Sequence, residues 1–222
     1  MFQSVLIDPV VEVLAGLAGD GRACEFAIGT GRVALPLAAR GVAVSGIELS
    51  RAMVDKLRAK PGGDRVEVMI GDMTSTRLPG DFGLVYLVFN TIMNLTSQRA
   101  QIDCFGNAAA HLQPGGRFVI ETMVPDLRRL PPGQDAVPFD ISETHLGFDT
   151  YDTATQAMAS HHVNVVDGQA RYSVVPFRYV WPSELDLMAE LAGMRLEHRW
   201  QDWSGEPFTD ESRSHVSVWQ LV

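Results

Sequence analysis

The chain has 222 residues, enough to bury a full core, and 46% hydrophobic with 20% charged residues is an ordinary globular balance. A net charge of −9 argues against a nucleic-acid partner, because phosphate binding needs a basic surface that the short Arg128-Arg129 stretch does not supply. No apolar run reaches membrane-spanning length and Met1-Phe2-Gln3-Ser4 lacks the charged start of a signal peptide, so a cytoplasmic protein is expected. The 2 cysteines, Cys24 and Cys104, lie among apolar neighbours and offer neither a disulfide framework nor metal-ligand spacing.

Asp8-Pro9 reads as a helix start, an N-cap followed by proline, and Val10, Val11, Val13, Leu14 and Leu17 give that helix its apolar face. Cys24 to Ile28 reads as a buried strand, followed by Gly29 and Gly31, then by Val33, Ala34, Leu35, Leu37 and Ala38 at helical spacing up to Gly41. Strand, glycine turn and helix open a nucleotide-binding unit, in which backbone comes close to the ligand and helical N–H groups face an anion. Gly29-Thr30-Gly31-Arg32-Val33-Ala34 fits the dinucleotide fingerprint, with Glu48 at about the ribose-binding distance; it fits a nucleoside without pyrophosphate equally well.

Val42 to Ile47, Val66 to Ile70, Leu84 to Phe89 and Arg117 to Glu121 read as further strands, with helices Arg51 to Arg58 (Ser50 as cap) and Ser97 to Leu112 between them. This alternation implies a doubly wound α/β sheet, mostly parallel. The pattern changes after Thr122. Pro125 to Pro138 reads as a loop; His145 to Asp152, Gln156 to Val166 and Gln169 to Tyr179 read as strands, the last two joined by an Asp167-Gly168 hairpin turn. A helix, Ser183 to Leu191, and two strands, Arg195 to Asp202 and Arg213 to Leu221, complete the chain. The expected fold is one domain over residues 1–222: a seven-stranded sheet with an antiparallel last strand, and an antiparallel β insertion over residues 123–181, after strand five.

Across nearly the whole chain the residues resemble the class I S-adenosylmethionine-dependent methyltransferases. Glu25-Phe26-Ala27-Ile28-Gly29-Thr30-Gly31 is similar to the family's acidic first motif, with Ala27 in place of its first glycine. Glu48, Gly71-Asp72-Met73, Phe89-Asn90 and Leu112-Gln113-Pro114-Gly115-Gly116 match four further motifs in order, and Phe89 to Asn94 resembles the segment of sugar-amine N,N-dimethyltransferases. The resemblance implies S-adenosylmethionine as cofactor, with S-adenosylhomocysteine as product. It implies Glu48 on the ribose hydroxyls, Leu49 and Met53 on adenine, and Asp72 with the Met73 N–H at the adenine edge. The turn of Ala27, Gly29, Thr30, Gly31 and Arg32 would take the methionyl carboxylate, Glu25 and the Phe89 carbonyl its ammonium. Ser50 and Asn90 complete the set. Relatives commonly carry a further helix before the first one, lidding the cofactor; this chain has little room for it, so a lid from elsewhere or a truncated chain is expected.

The implied reaction moves a methyl group to O or N of a small-molecule acceptor by in-line displacement, without a metal. An NAD(P)-dependent oxidoreductase and a non-catalytic S-adenosylmethionine-binding protein are the alternatives, and a homo-oligomer is compatible with either. Asn94 stands where sugar-amine relatives carry a histidine and cannot act as a base; it is expected to orient the acceptor or to cap a turn. In this family the insertion commonly roofs the acceptor pocket, which makes His145 and His162 the candidates for acceptor chemistry. His161 shares a face with Ala157, Ala159, Val163 and Val165 and reads as packed; His162 shares one with Ser160 and Asn164. His111 reads as a surface residue at a helix end and His198 as structural. An antiparallel last strand would bring Trp203, Ser212, Ser214 and His215 to the rim of the site.

Overall fold

Three strands, β1 (Ala23–Phe26), β2 (Val44–Glu48) and β4 (Phe82–Leu87), are buried along their whole length, as strands covered on both faces must be. They are the centre of a computed structural model that describes residues 7–222; the Met1-Phe2-Gln3-Ser4 start lies outside it. With β3 (Glu67–Ile70), β5 (Leu112–Met123), β10 (Met194–Trp200) and β11 (Ser214–Leu221) they form one seven-stranded sheet in the order β10-β11-β5-β4-β1-β2-β3. The five strands from β3 to β5 run parallel, and β11 is antiparallel to both its neighbours, as expected.

One face is covered by α1 (Ile7–Ala18), α2 (Ala34–Ala39) and α3 (Arg51–Arg58), through Val10, Leu14, Leu37 and Leu57. The other is covered by α4 (Gln98–Ala109) and α5 (Pro182–Leu191), through Cys104, Phe105, Leu185 and Met188. Ser50 caps α3 and Ser97 caps α4, each hydroxyl accepting an N–H three residues on. Several boundaries differ from the sequence reading: β1 ends at Phe26, β4 spans Phe82–Leu87 so that Phe89 lies beyond it, and α4 ends at Ala109. Asp8 lies inside the first turn of α1 instead of capping it, α2 begins only at Ala34, and β5 starts at Leu112, so the Pro-Gly-Gly segment is part of the strand.

After β5 the chain builds a second, four-stranded antiparallel sheet from β6 (Ala136–Ile141), β7 (His145–Tyr151), β8 (Ala157–Val166) and β9 (Gln169–Arg178), in that order. Three of these strands are expected from sequence; β6 is not, because Pro138 argued for a loop. Proline is tolerated there because β6 is an edge strand with a register shift at Pro138/Asp140. Val137, Tyr151 and Met158 turn one face of this sheet into the core, where Ile92 and Met93 of the turn after β4 also lie. The His161 face therefore points away from the core, and His161 stacks on Phe148 at 4.6 Å instead of packing inside.

A buried polar cluster pins the inserted sheet to the helices beneath. Arg178, at the end of β9, donates to Glu184 of α5 at 2.8 Å, to Gln156 at 2.9 Å and to Gln101 of α4 at 2.5 Å. Burial alone would raise the Glu184 carboxyl, yet hydrogen bonds from Arg178, Gln156 and Gln98 hold it below its ordinary value.

Candidate active site

The carboxyl ends of β1, β2, β3 and β4 meet at one edge of the parallel sheet, the side on which ligands bind in such folds. At the end of β1, Ala27, Gly29 and Gly31 all adopt left-handed backbone, with φ of 53°, 56° and 73°. Gly31 is required twice over, since a Cβ there would also come within 3.0 Å of Leu35 and 3.1 Å of Leu57. Ala27 holds the same conformation with a side chain, at a cost of about 1–2 kcal/mol.

Glu48 organises the edge. One carboxylate oxygen accepts the Gly29 N–H and the other the Ser50 N–H, both at 2.8 Å, so this side chain joins the glycine turn to the start of α3. Beside it Leu49 is 73% exposed and Met53 42%, an apolar surface left open where β2 ends. Asp72 closes a tight turn after β3: its Oδ1 accepts the Thr74 N–H and hydroxyl, both at 2.8 Å, and Oδ2 is unused among the described residues. Asn107 of α4 holds the same turn by donating to the Met73 carbonyl at 2.7 Å. Gly71 must precede it, as a Cβ would fall 2.0 Å from the Thr76 hydroxyl.

Glu25 lies one layer below. It is 4% exposed, its carboxylate accepts the Tyr86 hydroxyl at 2.9 Å, and burial pushes its pKa up to about 8 against the opposing Tyr86 and Ala34 hydrogen bonds. After β4, Phe89 and Asn90 are consecutive left-handed residues, φ 57° and 61°, a strained pair of the kind found at functional sites. Glu121 of β5 holds them there: its carboxylate accepts the Phe89 N–H at 3.0 Å and its carbonyl the Asn90 N–H at 3.2 Å. The Asn90 side chain in turn accepts the Met123 N–H at 2.6 Å.

Two cations sit at the turn. Lys60 donates to the Thr30 carbonyl at 2.7 Å and to its hydroxyl at 3.1 Å, and the Arg32 guanidinium lies 4.6 Å over the Phe89 ring. The site thus offers an accepting carboxylate, an open apolar shelf, a turn of exposed backbone flanked by positive charge, and a buried acid beneath. These fit a nucleoside joined to an amino acid.

Known proteins share the sequence pattern and the fold. A family model described as a methyltransferase domain matches residues 23–116. The CcbJ methyltransferase of Streptomyces caelestis is similar at 35% identity and a TM-score of 0.87, over 97% of this chain and 89% of that one. This chain belongs to the S-adenosylmethionine-dependent methyltransferases. The cypemycin N-terminal methyltransferase of a Streptomyces species is 27% identical over 205 residues, 90% of this chain and 83% of that protein. The fold is also that of S-adenosylmethionine-bound CalS10, an amino pentose methyltransferase of Micromonospora echinaspora, with a TM-score of 0.72 at 21% identity over 97% of this chain and 90% of that one.

Four of the five motifs, those of Glu25 to Gly31, Glu48, Gly71 to Met73 and Phe89-Asn90, lie at this edge, whereas Leu112 to Gly116 lies at the start of β5, at the opposite end of the sheet. The acceptor candidates do not gather at this edge. Asn94 ends the turn Thr91–Asn94, exposed, with its amide donating to the Thr91 carbonyl at 3.2 Å. His145 and His162 meet each other on the inserted sheet, ring nitrogens 3.0 Å apart. His198 is half-exposed against Trp200. His111 is interior: its Nε2 accepts the Leu78 N–H at 3.0 Å, so Nδ1 carries the hydrogen and donates to the Asn107 carbonyl at 2.7 Å. His215 is also interior, fully buried, its pKa driven down to about 3 chiefly by burial. Trp203 packs into the core on the opposite side, and Ser212 and Ser214 bond locally to Thr209 and Gln201. Sequence reasoning missed Lys60, Tyr86 and Glu121; only the positive-φ strain at Phe89-Asn90, invisible in residue types, would have pointed to Glu121.

Proposed function

We propose that the chain methylates a nitrogen, or less readily an oxygen, of a small acceptor admitted between the parallel sheet and the insertion of residues 123–181. The observation that carries the cofactor half is the Glu48 carboxylate, which bridges the glycine turn and the α3 start while each oxygen keeps a lone pair for a ribose hydroxyl. Leu49 and Met53 pack on adenine, Asp72 Oδ2 and the Met73 N–H read its edge, and Arg32 with Lys60 draws the amino-acid carboxylate to the turn of Ala27, Gly29, Thr30 and Gly31. Glu25 and the Phe89 carbonyl face the ammonium; Ser50 and Asn90 hold the frame. Bound S-adenosylmethionine supplies a methyl carbon already activated by its sulfonium. The chain then needs to align the acceptor, exclude water and remove a proton. Asn94 orients the acceptor, and His145 with His162 handles its proton.

The N preference follows the similarity to the cypemycin N-terminal methyltransferase, an enzyme named for a nitrogen acceptor, and the net charge of −9 favours a small acceptor over nucleic acid. The test is a panel of primary and secondary amines, with matched alcohols, incubated with methyl-labelled S-adenosylmethionine. Label transfer to amines is expected, and transfer to alcohols alone overturns the N assignment. Binding of S-adenosylhomocysteine with no transfer to any member of the panel overturns the small-acceptor reading.

A further inference from the structure

The inward face of the inserted sheet carries a line of polar side chains beyond its packed end. Inward residues run Met158, Ser160, His162 on β8 and Tyr151, Asp149, Gly147, His145 on β7, paired Tyr151 with Met158, Asp149 with Ser160 and Gly147 with His162. Tyr151 and Met158 are buried in the core beside Ile92 and Met93. Asp149 and Ser160 are therefore one step out from where the sheet meets the turn after β4.

Hydrogen bonding fixes the protons along this line. Asp140 Oδ2 lies 2.5 Å from His145 Nδ1; a carboxylate only accepts, so Nδ1 carries the hydrogen and Nε2 is a lone pair. That Nε2 is 3.0 Å from His162 Nδ1, which must then donate. His162 Nε2 is left as a lone pair, 3.2 Å from the Ser160 hydroxyl. The two imidazoles stack, and Phe139 packs against both. Across the ladder from Ser160, whose hydroxyl neighbours the Asp149 carboxyl, the Oδ1 of Asp149 is buried with no hydrogen-bond partner of its own among the described residues. A buried carboxylate oxygen without a donor is costly, so this atom is placed for one that arrives.

We propose that Asp149 anchors the ammonium of the acceptor and that Ser160, His162, His145 and Asp140 carry its proton to solvent; this rests on the N-methylation reading above. In the step, an N–H bond of the ammonium breaks and its electron pair stays on nitrogen as the attacking lone pair. The proton passes to Ser160 Oγ as the hydroxyl proton moves to His162 Nε2. His162 gives its Nδ1 proton to His145 Nε2, and His145 gives its own to Asp140, whose side chain is 36% exposed and delivers it to water. Each ring ends as the opposite tautomer and is reset by exchange with solvent. The other charged or titratable groups near this line are Tyr151 on the same face, Asp126 and Arg129 beneath it, His161 behind Asp149, and Arg171 on β9 opposite Asn164.

Two measurements test this. In the full chain saturated with S-adenosylhomocysteine, methylammonium chloride is titrated while the His162 ring resonances are followed by NMR, with methanol as the neutral control. A saturable shift with methylammonium alone, weakened about 10-fold or more in Asp149→Asn, is expected. No saturable shift, or the same affinity in the variant, overturns the ammonium site. With the amine turned over fastest in the panel, Asp149→Asn is expected to raise KM about 10–100-fold at unchanged S-adenosylhomocysteine affinity. His162→Gln is expected to lower kcat by about 10²–10⁴. Asp140→Asn removes a negative charge beside His145 and moves the acid limb of the kcat/KM profile to lower pH. An unchanged KM in Asp149→Asn contradicts the anchor, and an unmoved limb contradicts the relay. If methylammonium binds but no amine is methylated, the N-methylation reading fails while the ammonium site stands.

Discussion

The two sheets divide the labour differently. At the edge of the parallel sheet the functional groups are tied to backbone: Glu48 to Gly29 and Ser50, Asp72 to Thr74, Glu121 to Phe89. On the inserted sheet they are tied mainly to one another, Asp140 to His145 to His162 to Ser160. Backbone-tied groups stay fixed whatever the neighbouring side chains become, which suits a constant cofactor. Groups held by side chains are set by a few replaceable residues, which suits an acceptor that varies between relatives.

The largest disturbance of this division should come from the joint between the sheets. Arg178→Met leaves Glu184 and Gln101 buried without their cation and is expected to destabilise the chain by about 3–5 kcal/mol in denaturant unfolding. The same joint should weaken on acidification. The Glu184 carboxyl is held below its ordinary value of 4.5, so its stabilisation is present above pH 4.5 and lost as pH falls through its lowered pKa. Next, Glu48→Ala should cost about 1.5–3 kcal/mol of S-adenosylhomocysteine affinity by calorimetry. Unchanged affinity in a folded variant would remove Glu48 from the ribose.

Glu25 gives an effect with the opposite pH sign, spread over several pH units. Its folded pKa of about 8 exceeds the ordinary 4.5, so the folded chain holds a proton the unfolded chain releases. Stability should fall by up to about 1.4 kcal/mol per pH unit across that window and level off above it. Glu25→Gln should flatten the slope in melts at several pH values. The smallest effect is expected at Ala27. Replacing it with glycine relieves the left-handed strain and should add about 1 kcal/mol of stability, with cofactor affinity unaltered.

What was legible in the sequence follows the same division. Glu48, Asp72 and the glycine turn could be read because each motif is local: a strand end, a turn and a helix start lie within a few residues. Lys60, Tyr86 and Glu121 could not, because they reach the site across the fold, from the residues just after α3 and from β4 and β5. On the inserted sheet, alternation separated His161 from His162 correctly, yet apolar content pointed to the wrong face as the packed one. Docking decides that, and Tyr151 and Met158 dock the His162 face while Ala157, Val163 and Val165 turn outward. His111 and His215 read as peripheral because a helix end and a strand start look exposed in one dimension; the turn between α4 and β5 carries the first into the core and β11 the second.

Amide hydrogen exchange of the full chain with and without S-adenosylhomocysteine tests the division most directly. Protection is expected at residues 27–32, 48–53, 71–73 and 89–90, with residues 136–178 unchanged until an acceptor is added. Protection centred on the inserted sheet with the cofactor product alone, or none at the glycine turn, would contradict the account.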